Sequence, residues 1–242
     1  KELKDDYDMR KASEIEREWF EQMEDFEAWM IGKTAEEVIN IPVKERDENH
    51  KNVPDVEELT STVTITVEGY LAAVEDAWNN AVDVEGASKV GLGVSSSIAK
   101  SNGLDGDKMP KLQADTTLTA LAFDDADKIV GSIIDTVQTK VEFDAEGKVT
   151  TDLEAEVLSK KELKDDYGMK KASGIEKEWF EQIEAFEEWM IGKTADEVTG
   201  LEVKEVDPNH QNVPDVEELT SSVTITVESF LDAVEKADTN KR

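Results

Sequence analysis

The stretch KELKDDYGMKKASGIEKEWFEQIEAFEEWMIGKTADEV at residues 161–198 is a near copy of residues 1–38. The likeness runs on to residues 76 and 236, and at an offset of 160 the two copies share 56 of 76 positions. Residues 83–160 occur once, so the repeat is about 160 residues long and the chain holds one and a half of them. This period is far longer than a solenoid repeat, which indicates a duplicated domain.

The repeat predicts two parts in the chain. Residues 1–82 are the C-terminal, helical half of a first copy, and residues 83–242 are a complete second copy. In the second copy we predict a β meander over 89–158 and a helical part over 161–238. Either a front half precedes Lys1, or the first part packs on the opposite side of the single sheet, or it takes strands from another chain in a homo-oligomer or filament.

Capping patterns predict the first two helices of each copy. Ser173 with Glu176, and Thr194 with Glu197, have the spacing of a capping box, in which each side chain accepts a hydrogen bond from the other residue's backbone amide. The first-copy counterparts are Ser13, Glu16, Thr34 and Glu37. Apolar side chains then recur at helical spacing up to Met190. We expect Gly192 and Gly32 to end the long helix, and the short helix to end near Gly200 or Asn40.

The last helix is ambiguous at its start. In LTSSVTITVESFLDAVEKA, residues 219–237, Val223, Ile225 and Val227 alternate as in a strand, whereas Val223, Val227, Phe230 and Val234 keep helical spacing. We favour a helix that is capped near Ser221.

The single-copy middle reads as strands. TTLTALAF, IVGSIID, TKVEF and KVTTDLEAEV are rich in threonine and β-branched residues, and DDADK and DAEGK separate them as turns. The earlier run KVGLGVSSSI adds a further strand. Strands followed by helices predict an α+β fold, with an antiparallel meander of about four strands and helices packed on one face.

Composition limits the partners. Asp and Glu outnumber Lys and Arg 58 to 27, a net charge of −31. Such a field repels nucleic acid and attracts cations and basic protein partners. Cysteine is absent, which excludes disulfides and thiolate chemistry. No apolar run approaches the roughly 18 residues of a membrane span.

Catalytic patterns are sparse. His50 and His210 hold equivalent loop positions without a second metal ligand nearby, which is typical of loop-capping residues. The acidic groups at 124–127 and 144–146 lack the calcium-loop pattern and lie where turns favour aspartate. No nucleophile elbow, phosphate loop or dinucleotide motif occurs. We therefore predict no catalytic residue.

A hydroxyl-rich segment precedes the last helix. It contains Ser221, Thr224 and Thr226, with Ser61, Thr64 and Thr66 in the first copy. Free amides at a helix start, together with hydroxyl groups, can bind a phosphate. Ordinary capping and β-branched packing explain the same residues without a ligand.

EELTSSVTITVESFLDAVEKA resembles the end of the FMN-binding domains of bacterial surface and electron-transfer proteins. Those domains have an acidic residue, then Ser-Gly-Ala-Thr, then a helix. Glu218, Ser221 and Thr224 match the acid, the serine and the threonine, whereas Ser222 and Val223 replace the glycine and the alanine. The resemblance implies an FMN cofactor, in family members carried on the threonine through a phosphoester, and a bacterial cell-surface or extracellular location.

Two functions follow as hypotheses. In the first, the chain is a flavin-carrying redox or electron-transfer module, with FMN phosphate at the Ser/Thr segment and the flavin ring against Tyr167 or Met169. In the second, it is a non-catalytic acidic repeat that binds a partner or acts as a scaffold. The long aromatic helix fits both, since Trp179 and Phe186 form either core packing or a stacking wall for a planar ligand.

Overall fold

The structure, a computed structural model, describes residues 1–208 and 210–242. The described residues form two compact units, Lys1–Asp83 (unit 1) and Val84–Arg242 (unit 2). The combination of helices with antiparallel sheets confirms the predicted α+β fold.

Unit 1 is helical around a small two-stranded ribbon. Its elements are α1 (Trp19–Met30), α2 (Ala35–Ile39), β1 (Val43–Lys44), β2 (Val53–Pro54) and α3 (Glu68–Asn79). Its core contains Met23, Phe26, Ile41, Leu59, Val63 and Val67. The centre of this core therefore lies between α1 and the loop that leads into α3.

Unit 2 repeats this arrangement and adds a sheet. Its elements are β3 (Lys89–Ser97), β4 (Lys111–Phe123), β5 (Ile129–Glu142), α4 (Lys160–Leu163), α5 (Trp179–Met190), α6 (Ala195–Thr199), β6 (Val203–Lys204), β7 (Val213–Pro214) and α7 (Glu228–Thr239). The bounds of α5, α6 and α7 are those of α1, α2 and α3 shifted by 160 residues. The duplicated sequence thus forms the same helices in both units.

The sheet has three antiparallel strands in the order β3-β4-β5. Asp124 closes the turn between β4 and β5, because its carboxylate accepts the amides of Ala126 and Lys128 at 2.9 and 2.8 Å. TKVEF continues IVGSIID in one long strand. The strand predicted at KVTTDLEAEV is wrong: after the turn at 144–148 only an isolated bridge, Phe143 to Val149, forms.

Helices cover one face of the sheet, as predicted: α5 packs on β5, and α7 packs on β3 and β4. The contact with β3 is close, since a Cβ added at Gly93 would lie 1.8 Å from the Ala233 carbonyl oxygen and one at Gly91 would lie 2.0 Å from that of Ala237. Only glycine at these two positions of β3 lets the backbone of α7 approach the strand so closely. The other face of β3 exposes Val90, Leu92 and Val94.

The outer edge of β3 is also occupied. The Val90 amide and carbonyl pair with the carbonyl and amide of Arg242 at 3.1 and 3.0 Å. The Asn240 side chain donates to the Leu92 carbonyl, and Lys236 Nζ donates to the Val94 carbonyl. Residues 236–242 thereby satisfy backbone groups that an edge strand otherwise leaves free.

The predicted start of the long helix is wrong. The helix begins at Trp179, not after Ser173, and Glu178 precedes it as the cap residue. The Glu178 carboxylate accepts the amides of Met169 and Lys170 at 2.8 and 2.9 Å, and its own amide donates to Glu181. Glu176 has a φ of +53°, outside the right-handed helical region. The segment before α5 is therefore folded back on the helix and does not extend it.

The predicted capping box of Thr194 with Glu197 and the predicted end of the long helix at Gly192 are confirmed. Thr194 accepts the Glu197 amide at 3.2 Å, and Glu197 accepts the Thr194 amide at 2.8 Å. The helix α6 ends at Thr199 with Gly200 as its cap. Gly192 has a φ of +81°, and its amide donates to the Ile129 carbonyl at 2.8 Å. This turn ties the end of α5 to the start of β5.

The helix predicted to start near Ser221 is also wrong: α7 begins at Glu228. The Val227 amide donates to the Asn212 carbonyl at 3.0 Å, and the Thr224 amide donates to a side chain of α5. These contacts outside the segment hold residues 221–227 as a loop. Val223 and Val227, at 1% and 0% exposure, anchor that loop in the core.

The substitution Gly93→Ala should lower the free energy of unfolding by about 3 kcal/mol, because the new Cβ collides with backbone rather than with a flexible side chain. Urea unfolding followed by circular dichroism measures the change. Gly103→Ala is the matched control, since no atom lies within 4 Å of its Cβ, and should change stability by less than about 0.5 kcal/mol. Equal effects of the two substitutions would contradict the close contact.

Candidate functional site

The predicted hydroxyl residues of unit 2 lie in the loop 221–226, and one of them is held by a buried glutamine. Gln182 of α5 is fully buried, and its Oε1 accepts both the amide of Thr224 at 2.9 Å and its hydroxyl at 3.2 Å. The Gln182 Nε2 donates to Ser173 Oγ at 3.1 Å. Ser173, which the sequence predicted as a helix cap, instead positions this glutamine.

Unit 1 repeats this arrangement. Gln22 is fully buried and accepts the Thr64 amide at 2.8 Å and the Thr64 hydroxyl at 3.3 Å. Its Nε2 donates to Ser13 Oγ at 3.3 Å. Because both copies keep the contact, it stabilises the loop whether or not a ligand binds.

The rest of the loop in unit 2 keeps polar groups accessible. Ser221 is exposed and Thr226 is half-buried. In the ranges 1–208 and 210–242, the amides of Ile225 and Thr226 have no hydrogen-bond partner. The loop therefore has one exposed hydroxyl, one half-buried hydroxyl and two backbone amides without a partner, although Glu228 places a negative charge in the first turn of α7.

A second polar cluster lies at the start of the helical part of unit 2. The ammonium group of Lys160 lies 4.9 Å from the ring centres of both Tyr167 and Trp179. Burial, and then the positive charge of Lys100, lower the Lys160 pKa to about 8, against the opposing effect of Asp115. A lysine with this pKa is partly neutral near physiological pH and can give up or take a proton.

Asp115 on β4 acts on this lysine through its negative charge. Its carboxylate accepts from Lys100 at 2.7 Å, from Gln113 at 2.7 Å and from Gln138 at 3.1 Å. Burial alone would raise the pKa of Asp115, but these hydrogen bonds hold it below its usual value. The carboxylate is therefore ionised and fixed in position.

Tyr167 completes the cluster. Its hydroxyl donates to Gln138 Oε1 at 3.3 Å. Burial, and then the negative charge of Asp115, raise the Tyr167 pKa above its usual value, so the phenol keeps its proton. Met169, the other residue predicted to contact a ring, is partly buried and, like Tyr167, packs against the core of unit 2.

The two clusters meet on α5. Trp179, below Lys160, and Gln182, which holds Thr224, are three residues apart and so project from the same side of the helix. Sequence reasoning found Tyr167 and Thr224 but missed Lys160, Asp115 and Gln182. No local sequence signal marks them, because they lie in α4, β4 and α5 among other polar residues and only the fold brings these elements together.

The loop histidines have local partners. His50 Nδ1 lies 2.8 Å from the Asp47 carboxylate, and His210 Nδ1 lies 2.8 Å from that of Asp207. The contact with His50 lowers the Asp47 pKa to about 2. Across the described residues, no group of three His, Cys, Asp or Glu side chains is placed to hold a metal ion.

An open groove of about 680 Å³ lies away from these clusters, between the loop at 102–111 and the turn at 142–150. None of the predicted site residues lines it. Among the helices of the described residues, none is long and apolar enough to cross a lipid bilayer.

Comparison with known proteins gives one partial relative. The chain is 34% identical over 134 residues to a protein named chlorophenol reductase from Desulfitobacterium hafniense. The match covers 50% of this chain and 41% of that protein, so the chain spans less than half of the relative's length. The similarity is thus to part of a redox enzyme. No protein-family model matches the chain. No solved structure matches it.

The buried glutamine should be needed for the loop 221–226. Gln182→Leu leaves the half-buried Thr224 amide without an acceptor and should lower the free energy of unfolding by about 1–3 kcal/mol. Gln182→Glu should cost at least as much, because it keeps an acceptor oxygen but buries a carboxylate and removes the donor to Ser173. Gln22→Leu is the matched change in unit 1. Chemical unfolding of all three variants measures these effects, and a stable Gln182→Leu protein would show that the contact contributes nothing.

The low pKa of Lys160 should appear in the pH dependence of stability. Because folding favours neutral Lys160, its contribution to the free energy of unfolding should rise from pH 8 towards its ordinary pKa of 10.5. The measurement is the difference in unfolding free energy between the wild type and Lys160→Met, taken from pH 7.5 upward. Lys100→Met should raise the Lys160 pKa and reduce the slope. A difference that does not change with pH would refute the assignment.

Proposed function

We propose that unit 2 is a flavin-binding redox module that works in electron transfer. The observation that carries the proposal is the partial identity with a chlorophenol reductase, a redox enzyme. The resemblance of residues 217–237 to FMN-binding domains specifies the cofactor as FMN. The location that this resemblance implies, a bacterial cell surface or the exterior, is part of the proposal.

The loop 221–226 suits the phosphate end of FMN. The Ser221 and Thr226 hydroxyls and the two unpartnered amides are donors of the kind that bind phosphate. Thr224 keeps its amide on Gln182, so its hydroxyl can leave that glutamine without loss of the loop's anchor. A phosphoester at Thr224 would use this hydroxyl oxygen.

The cluster around Lys160, which shares one side of α5 with the residue that holds the loop, suits the flavin ring of FMN. Tyr167 and Trp179 provide aromatic surface, Lys160 holds a proton on Nζ, and Asp115 fixes a negative charge nearby. Bound FMN would supply the electron-accepting chemistry. The residues of the chain would orient the ring and set the local charge, and Lys160 could supply or accept a proton.

Only unit 2 has all four ring-side groups, since unit 1 has Tyr7 and Trp19 but no counterpart of Lys160 or Asp115. Lys160 and Asp115 lie in the single-copy part of the sequence, whereas the hydroxyl loop occurs in both copies. We therefore assign the flavin to Ser221, Thr224 and Thr226. The first-copy residues Ser61, Thr64 and Thr66 stay predicted phosphate contacts that lack a ring site.

A second function is favoured by the repeated contact between glutamine and threonine. Since Thr64 and Thr224 both stabilise their loops, the hydroxyl run could serve the fold alone. The chain would then be an acidic scaffold that binds a basic protein through its net charge of −31. Binding of this kind weakens as salt screens the charges.

The visible spectrum and intact mass of natively purified protein distinguish the two functions. We expect flavin absorbance, and a mass increase of one phosphoester-linked FMN if attachment is covalent. Thr224→Ala should remove the attachment, Thr224→Ser should restore it, and the matched Thr64→Ala should leave it unchanged. A colourless protein that does not bind added FMN would reject the flavin module and leave the scaffold.

A further inference from the structure

The two copies of the last helix differ in what they bury. In unit 2, α7 buries four side chains: Phe230 at 4% exposure, and Ala233, Val234 and Ala237 at 0%. In unit 1, α3 buries no residue. The two helices are identical at six of twelve positions, among them Ala73, Val74 and Ala77, so at these positions the difference in burial comes from the surroundings.

The uncovered face of α3 keeps the residues that contact the sheet in unit 2. Ala73 and Ala77 are exposed, although they correspond to Ala233 and Ala237, whose carbonyls lie against Gly93 and Gly91. Tyr70 and Val74 are only partly buried where Phe230 and Val234 are buried. We call this surface the α3 face, defined by Tyr70, Ala73, Val74 and Ala77.

The neighbouring helix shows the same pattern. Trp19 and Met30 of α1 are partly exposed, whereas Trp179 and Met190 of α5 are 2% and 0% exposed. Met23 and Phe26, which face the interior of unit 1, are buried. The helices of unit 1 are thus packed on one side only.

The sheet 89–142 cannot serve both sets of helices, because α5 and α7 already cover the face that carries Gly91 and Gly93. Exchange between identical chains does not solve this, since every chain has two helical sets and one such face. The opposite face carries Val90, Leu92 and Val94 in place of glycines, which blocks the close approach of a helix backbone.

We propose that the α3 face docks a second β sheet of the 89–142 type, with a Gly-x-Gly strand against α3. Unit 2 shows this contact between its own sheet and α7. Small side chains on α3 would then meet glycines on the added strand, as they do in α7.

The test is a longer chain in which a second copy of residues 84–160 is placed before Lys1. Because residue 161 corresponds to residue 1, this junction reproduces the natural connection of unit 2. Hydrogen exchange of the α3 amides should slow by about tenfold or more and approach that of α7 in the same sample. The measurement needs no flavin, so its result is independent of the proposed function.

Two controls make the result specific. Gly93→Leu in the added segment alone should leave the α3 amides in fast exchange while α7 is unchanged. Ala77→Arg should be tolerated in the present chain, where residue 77 is exposed, and should abolish the slow exchange of α3 in the extended chain. Both variants leave unit 2 untouched.

The proposal fails if the extension does not slow exchange in α3, or if the Gly93→Leu extension slows it equally. It also fails if the present chain already protects α3 as well as α7 through self-association, which sedimentation velocity would detect. That outcome would identify a second copy of the chain as the occupant of the α3 face.

Discussion

The contact between α7 and the two glycines of β3 is the constraint on which unit 2 depends. A side chain at either position would meet the backbone of the helix at about 2 Å, so the spacing between helix and sheet is fixed by the absence of Cβ atoms. With α7 held there, Phe230 reaches the aromatic side of α5, with its ring centre 6.1 Å from that of Trp179. The packing of the sheet, of both long helices and of the loop between them follows from that distance.

The sequence predicted those elements that are determined locally. The box at Thr194 and the stop at Gly192 involve neighbours within a few residues, and both formed as expected. The helix starts at Ser173 and Ser221 were predicted wrongly because distant partners decide them: Glu178 turns the chain back on α5, and Gln182 takes the Thr224 amide. Local patterns could not reveal either partner.

The residues of the candidate site also fall into those that local sequence reveals and those that only distant contacts bring together. The hydroxyl loop was visible as a motif, and the structure places its residues together because they are adjacent in sequence. Of the ring-side cluster only Tyr167 was predicted, since Lys160 and Asp115 come from different elements and each looks ordinary alone. What makes them a site is shared burial, which shifts the pKa values of Lys160 and Tyr167 in opposite directions.

The pairing of β3 with residues 240–242 has a consequence for solubility. A sheet whose outer strand shows free backbone groups and the apolar side chains Val90, Leu92 and Val94 is a template for adding strands from other molecules, the first step towards amyloid-like growth. Residues 240–242 occupy that position. Proteolytic cleavage before residue 240 would therefore do more than cut the chain, because it would expose a nucleus for aggregation that the net charge of −31 alone would have to oppose.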